Sequence, residues 1–140
     1  MGIKRLDNVA IVVESLDEAI EFFEKLGMSV HGRAIVEGEF ADTSVGLSDI
    51  RSEIAVLKTP DRLSRVELSQ YFHPDSIPST PPTQNTLGVH RLMFTVDDIE
   101  ESLAAVGAQP LAGIANYEDT YRLCYLRGPS GIIVALAQEL

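Results

Sequence analysis

Apolar and polar residues alternate in two stretches of the chain, and each stretch runs into a helical pattern. Leu6–Val13 is rich in β-branched residues, and alternation sets Val9, Ile11 and Val13 on one face of a strand. Ser15-Leu16-Asp17-Glu18 then forms a capping box, in which the serine hydroxyl and the glutamate carboxylate each satisfy a free backbone N–H. Leu16, Ala19, Ile20 and Phe23 follow at helical spacing, and Gly27 stops the helix. The same pattern returns in Val89–Val96, a strand, followed by the cap Asp98–Glu101. Its stripe is Ile99, Ser102, Leu103 and Val106, and Gly107 is its stop. The offset is 83 from Asn8 to Arg91, Val13 to Val96, Ser15 to Asp98 and Phe23 to Val106. The chain therefore reads as an internal duplication.

The two copies also end alike. Arg65–Gln70 aligns with Ile133–Gln138 at an offset of 68. Between helix and final strand each copy has room for two strands. These are expected at 28–36 and 52–57 in the first copy, with a Gly/Asp/Ser-rich loop between them, and at 108–115 and 121–127 in the second. Each half thus reads β-α-β-β-β. Pro74, Pro78, Pro81 and Pro82 exclude a regular helix from the segment after the first half. The expected organisation is a first module at 1–71, a linker (alternatively a lid) at 72–87, and a second module at 88–140.

Composition narrows the setting. The chain has 140 residues, 45% hydrophobic and 23% charged, as in a globular protein. No apolar run approaches the roughly 20 residues of a membrane span, and the N-terminus has no small-residue cleavage site. Cys124 is the single cysteine, so no internal disulfide is possible and a cytoplasmic location is expected. The net charge of −10 argues against a nucleic-acid surface, and leaves a cationic ligand or partner open.

The segments LDNVAIVVESLDEAIEFFEKLGM, VHRLMFTVDDIEESLAAVGA and RGPSGIIVALAQ resemble the vicinal oxygen chelate superfamily, also called the glyoxalase/bleomycin-resistance/dioxygenase family. The resemblance spans nearly the whole chain. It implies an α+β fold of two tandem βαβββ modules whose sheets form a U-shaped cleft, with helices on the convex side. It also implies, for the metal-dependent members, a divalent ion held by His, Glu or Gln from four strand positions. These lie near the start of each half's first strand and within each half's last strand. Fold alone does not choose among the lyases, isomerases, dioxygenases and antibiotic-sequestering proteins of the family.

Matched to those positions, this chain has Asn8, Glu67, Arg91 and Ala135. His90 lies beside the second of the first-strand positions, but the repeat offset selects Arg91. Alternation then gives His90 a face with Leu92, Phe94 and Val96, as a strand-end or helix-side histidine; a one-residue slip would instead permit a Glu67/His90/Asn8 site. Arginine is a permanent cation with no lone pair, and alanine cannot ligate. A degenerate metal site is therefore expected, with no metal or other cofactor required. In its place the reading puts Arg91 as receiver of a carboxylate or similar oxyanion and Glu67 as general base. The alternative is that the two only form a salt bridge filling the old metal cavity. Asn8, Ala10, Ser69, Tyr71, Met93, Thr95 and Ala135 are expected to line the cleft. In 121–127, alternation separates Arg122, Cys124 and Leu126 from Tyr121, Leu123 and Tyr125, and leaves open which set faces it. Cys124 reads as a small buried residue.

The expected function is metal-independent binding of a small organic molecule by a homodimer, with no nucleic-acid or membrane partner. The alternatives are a metal-dependent lyase, isomerase or dioxygenase, or a metal-free enzyme using Glu67 and Arg91. A regulatory, partner-binding domain is the least supported.

Overall fold

Strand pairing begins at Val9, where the chain finds a parallel partner, and not at Leu6. In the computed structural model, which describes residues 2–140, β1 (Val9–Val12) runs parallel to β4 (Arg65–His73), with Val9 opposite Val66. Leu6 has no strand to pair with and is exposed. Between β1 and β4 come α1 (Leu16–Lys25), β2 (Ser29–Glu37), α2 (Glu39–Val45) and β3 (Arg51–Lys58). The strands form one sheet in the order β1-β4-β3-β2.

The second half repeats this plan with β5 (Leu92–Thr95), α3 (Ile99–Val106), β6 (Ala115–Tyr117), β7 (Tyr121–Arg127) and β8 (Ile133–Glu139). Its sheet order is β5-β8-β7-β6, with β5 parallel to β8. The fold is thus α+β, a duplicated βαβββ, as the sequence implied. The chain divides into two compact units between Pro78 and Ser79. β4 runs to His73, two residues into the segment assigned to the linker.

The repeat offsets hold in the hydrogen-bonded register itself. Ala10 lies opposite Glu67 and Met93 opposite Ala135, while Val12 lies opposite Ser69 and Thr95 opposite Ala137. Val13 N–H donates to Ser69 O at 2.8 Å, and Val96 N–H donates to Ala137 O at 2.8 Å. Each helix start is then tied to the last strand by one amide side chain. Leu16 N–H donates to Gln70 Oε1 at 2.8 Å, and Ile99 N–H to Gln138 Oε1 at 3.0 Å. These N–H groups belong to the first helical turn and have no partner within the helix. The caps are in place as well: Ser15 Oγ accepts from Glu18 N–H, and Asp98 Oδ1 from Glu101 N–H.

Helix packing follows from the stripes. Leu16, Ala19, Ile20 and Phe23 are buried where α1 covers β2, β3 and β4, whose inward residues include Ala55, Leu57, Val66 and Leu68. Truncating a fully buried phenylalanine such as Phe23 to alanine costs about 3–5 kcal/mol. The second stripe is narrower, since only Ile99 and Leu103 are buried on α3. Ser102 is half-buried and turns its hydroxyl back to Asp98 O, and Val106 is half-buried. The C-terminal bonds show why. Met28 N–H donates to Phe23 O, and Ala108 N–H to Leu103 O, an offset of 80. The 83-residue offset therefore ends inside the helix, and the expected match of Phe23 with Val106 gives way to Phe23 with Leu103.

Two expected segments differ. The loop between β2 and β3 contains the helix α2, on which Ala41 alone is buried and whose N-cap, Gly38, offers no side chain. Such a helix leaves no apolar periodicity to read. Asp42 closes its far end by accepting from Asp49 and Ile50 N–H. The strand expected at 108–115 is only Ala115–Tyr117, because Pro110 has no N–H to pair and Gly113 sits at φ +138°.

Ion pairs fasten helix to sheet on the same faces. Arg33 of β2 donates to Glu53 on β3 and meets Asp17 on α1 at 2.8 Å. Arg122 of β7 meets Glu100 on α3 and also donates to Gln138 Oε1. The hydrogen bond from Arg33 holds the Glu53 carboxyl below its ordinary range, and Arg122 does the same for Glu100.

Two outcomes are expected. Gln70→Ala and Gln138→Ala each lose about 1–2 kcal/mol in urea denaturation by stranding a helix N–H, whereas Gln70→Glu, which can still accept, retains most of the stability. Because the Glu53 and Glu100 carboxyls are depressed, their contribution is present above about pH 4.3 and is lost as pH falls through the lowered values. Urea midpoints measured at acid and neutral pH are therefore expected to converge in the Glu53→Gln, Glu100→Gln double variant relative to the parent.

Candidate functional site

Each sheet has one face under its helix and one face free of it. In the first unit the second face carries Ala10 and Val12 of β1, Glu67, Ser69 and Tyr71 of β4, and Ile54 and Val56 of β3. Alternation thus places Ala10, Glu67, Ser69 and Tyr71 on one face of the sheet. Glu67 is half-buried between Ala10 and Val56, and its carboxylate has no hydrogen bond or ion pair among the described residues. Asn8 lies one residue ahead of β1, half-buried, with its amide donating to Asp7 at 2.9 Å.

In the second unit the burial pattern settles which face of β7 is which. Cys124 and Leu126 are buried under α3, and Arg122 reaches Glu100 on that helix. Tyr121, Leu123 and Tyr125 therefore share the open face with Met93, Thr95, Ala135 and Ala137. The register lines these residues up in rows. Met93, Ala135 and Tyr125 form one; Thr95, Ala137, Leu123 and Ala115 form the next. Ala135, expected as a lining residue, is fully buried, with Met93 and Tyr125 on its two neighbouring strands.

Arg91 sits at the head of this face, just before β5. Its Nη1 donates to Tyr125 Oη at 2.7 Å, and its guanidinium lies 5.6 Å from the centre of the Tyr125 ring. His90 stacks on the same tyrosine, ring centres 5.7 Å apart and 21° from parallel. Of the two placements expected for His90 this leaves the strand end and corrects the helix side: β5 starts at Leu92, so strand alternation does not extend back to residue 90. Both ring nitrogens of His90 are engaged. Nε2 is bonded to Gln84 Oε1, and Nδ1 lies 3.4 Å from Arg91 Nη1. Nε2 thus lies against the Gln84 side chain, and Nδ1 faces the arginine.

Of the three arginines in the second unit, Arg122 is paired with Glu100 and Arg127 donates to Gly131 O. Arg91 is exposed and forms no ion pair with a carboxylate among the described residues. Its guanidinium lies over the Tyr125 ring and beside the His90 imidazole.

These residues do not fit a divalent metal. No group of three or more His, Cys, Asp and Glu side chains among the described residues is placed to hold one. Both ring nitrogens of His90 already have partners, one of them the Arg91 guanidinium, which would repel a cation. Tyr125, His90 and Gln84 were not recognisable as Arg91's surroundings from sequence. The usable signal was the alignment of Gln138 with Gln70, which sets the parity of β8 and, through it, of β7.

The duplicated βαβββ arrangement, with one helix-free face on each sheet, defines the fold class. A family model described as the glyoxalase/bleomycin resistance protein/dioxygenase superfamily matches residues 7–125, and the chain belongs to that superfamily. It is similar to the crystal structure of a glyoxalase family protein from Bacillus cereus, at 48% identity and a TM-score of 0.94, covering 100% of this chain and 97% of that one. A glyoxalase family protein from Enterococcus faecalis is 22% identical, with a TM-score of 0.68 over 98% of this chain and 99% of that one. A fosfomycin resistance protein from Listeria monocytogenes, solved with Mn(II) and sulfate, shares the fold at 10% identity and a TM-score of 0.60, covering 99% and 95%. No curated protein matches the chain. Among the described residues no helix is long and apolar enough to cross a membrane.

Cys124 is buried beneath α3, and burial pushes its thiol up from the ordinary value. A disulfide reagent is therefore expected to label it only in denaturant at neutral pH. Rapid labelling of the native protein would contradict this placement.

Proposed function

We propose that this protein binds a small organic anion on the helix-free face of its second sheet and does so without a metal. One observation carries the reading. The position at which the family resemblance sets a metal ligand holds Arg91, bonded to Tyr125 and without a carboxylate partner among the described residues. A guanidinium there repels a divalent ion and offers paired N–H donors to a carboxylate or similar oxyanion. Its ring contacts restrict the side chain before any ligand arrives, which lowers the entropy lost on binding. The net charge of −10 works against long-range capture of anions, so the attraction is local to Arg91.

Glu67 supports a second reading, in which the protein is a metal-free enzyme. Glu67 is half-buried, with Ala10 and Val56 on the neighbouring strands, and its carboxylate has no partner among the described residues, which leaves it available as a general base. Loss of turnover in Glu67→Gln with ligand affinity retained would distinguish the enzyme from the binding protein.

Protein purified without added metal is expected to carry no stoichiometric divalent ion. A stoichiometric ion that disappears in Glu67→Ala would overturn the metal-free reading. In thermal shift, a saturating simple carboxylate such as hexanoate is expected to stabilise the parent, by about 2.7 kcal/mol at a hundred times Kd. Arg91→Gln is expected to remove that stabilisation while keeping the fold. Stabilisation that survives Arg91→Gln would overturn the role of Arg91.

A further inference from the structure

The open face of the second sheet continues beyond Arg91, and what it carries narrows the ligand. Next to the row of Met93, Ala135 and Tyr125 lies a row of small or aliphatic residues that crosses all four strands: Thr95, Ala137, Leu123 and Ala115. None of these four is buried. Beyond them Tyr117 and Tyr121 lie opposite each other across β6 and β7, and their rings stack with centres 5.2 Å apart and 27° between planes. Both are open to solvent, at 54% and 40% exposure, as is Met93 at 42%. Glu139 is paired with Tyr121 on the same face and is exposed.

This is a low floor between two aromatic groups, with a cation at one end and a carboxylate at the other. Tyr125 and Tyr121 are four residues apart on one strand, about 13 Å. A flat molecule of two fused rings with one acidic group fits that length. Its anion would meet Arg91, its rings would lie over Leu123 and Ala137, and its far edge would meet the tyrosine pair. Exposed stacked tyrosines present rigid apolar area at small entropic cost. Glu139 would repel a second negative charge at that end.

We propose that the ligand is a planar aromatic monoanion, with its charged group on Arg91 and its ring system bounded by Tyr117 and Tyr121. This rests on the anion-binding reading above and adds the class of molecule.

Isothermal titration with naphthoate, hexanoate and naphthalenedicarboxylate tests it. The parent is expected to bind naphthoate at least about tenfold more tightly than hexanoate, a difference of about 1.4 kcal/mol. The Tyr117→Ala, Tyr121→Ala double variant is expected to remove that preference and leave hexanoate within about twofold, the altered side chains being exposed and remote from Arg91. Arg91→Gln is expected to weaken both ligands. The dicarboxylate is expected to bind less well than naphthoate, with Glu139→Gln closing the gap. Naphthoate affinity unchanged in the tyrosine variant but lost in Arg91→Gln would overturn the aromatic class and leave the anion site standing. Failure of both naphthoate and hexanoate to bind the parent, or affinities unaltered by Arg91→Gln, would overturn the anion site and this inference with it. Tighter binding of the dicarboxylate would overturn the role given to Glu139.

Discussion

The parallel pairing of the first and last strands in each unit is the constraint on which the remaining structure depends. It brings Gln70 to the start of α1 and Gln138 to the start of α3, where each satisfies a helix N–H. A first-turn N–H buried without a partner would cost about 1–3 kcal/mol, so the amide, the helix start and the strand register are held together. Once the last strand is fixed in this register, its side-chain alternation is fixed as well. Val66 and Leu68, and likewise Val134 and Leu136, must then go under a helix. Glu67, Ser69, Ala135 and Ala137 must go to the other face.

The two units keep this framework and differ in what they mount on it. Opposite Ala10 stands Glu67; opposite Met93 stands Ala135. A framework that tolerates such exchange needs only that the helix-facing positions stay apolar, since the core and the caps supply the stability. The open face is then free to vary, which is how one fold serves many chemistries. Here the second unit has an arginine held by Tyr125, beside a row of small and aliphatic residues.

Much of this was legible in the residues. The offsets of 83 and 68 appear as hydrogen-bonded register, and the face assignments of Ala10, Glu67, Met93 and Thr95 follow from alternation because they lie in or beside paired strands. The reading failed where its physical premise lapsed. His90 precedes the first paired residue of β5, so alternation has no hold on it. α2 buries a single residue and lacks a side-chain cap, so no periodicity marks it. Pro110 and Gly113 prevent the pairing that an apolar run at 108–115 suggested.

The sequence alone determined the duplication, the helix caps, the buried stripes and the match of Arg91 to Asn8 at the repeat offset. Each of these rests on local spacing or on a repeat that can be counted along the chain. Only the tertiary structure decided that Tyr125 holds Arg91, that His90 joins them with both nitrogens engaged, and that Tyr117 and Tyr121 close the same face. Those contacts join residues up to 35 positions apart through the pairing of β7 with β8 and of β8 with β5. The pattern of a single strand gives its two faces but not which of them a helix covers, and that choice is made by burial across the whole sheet.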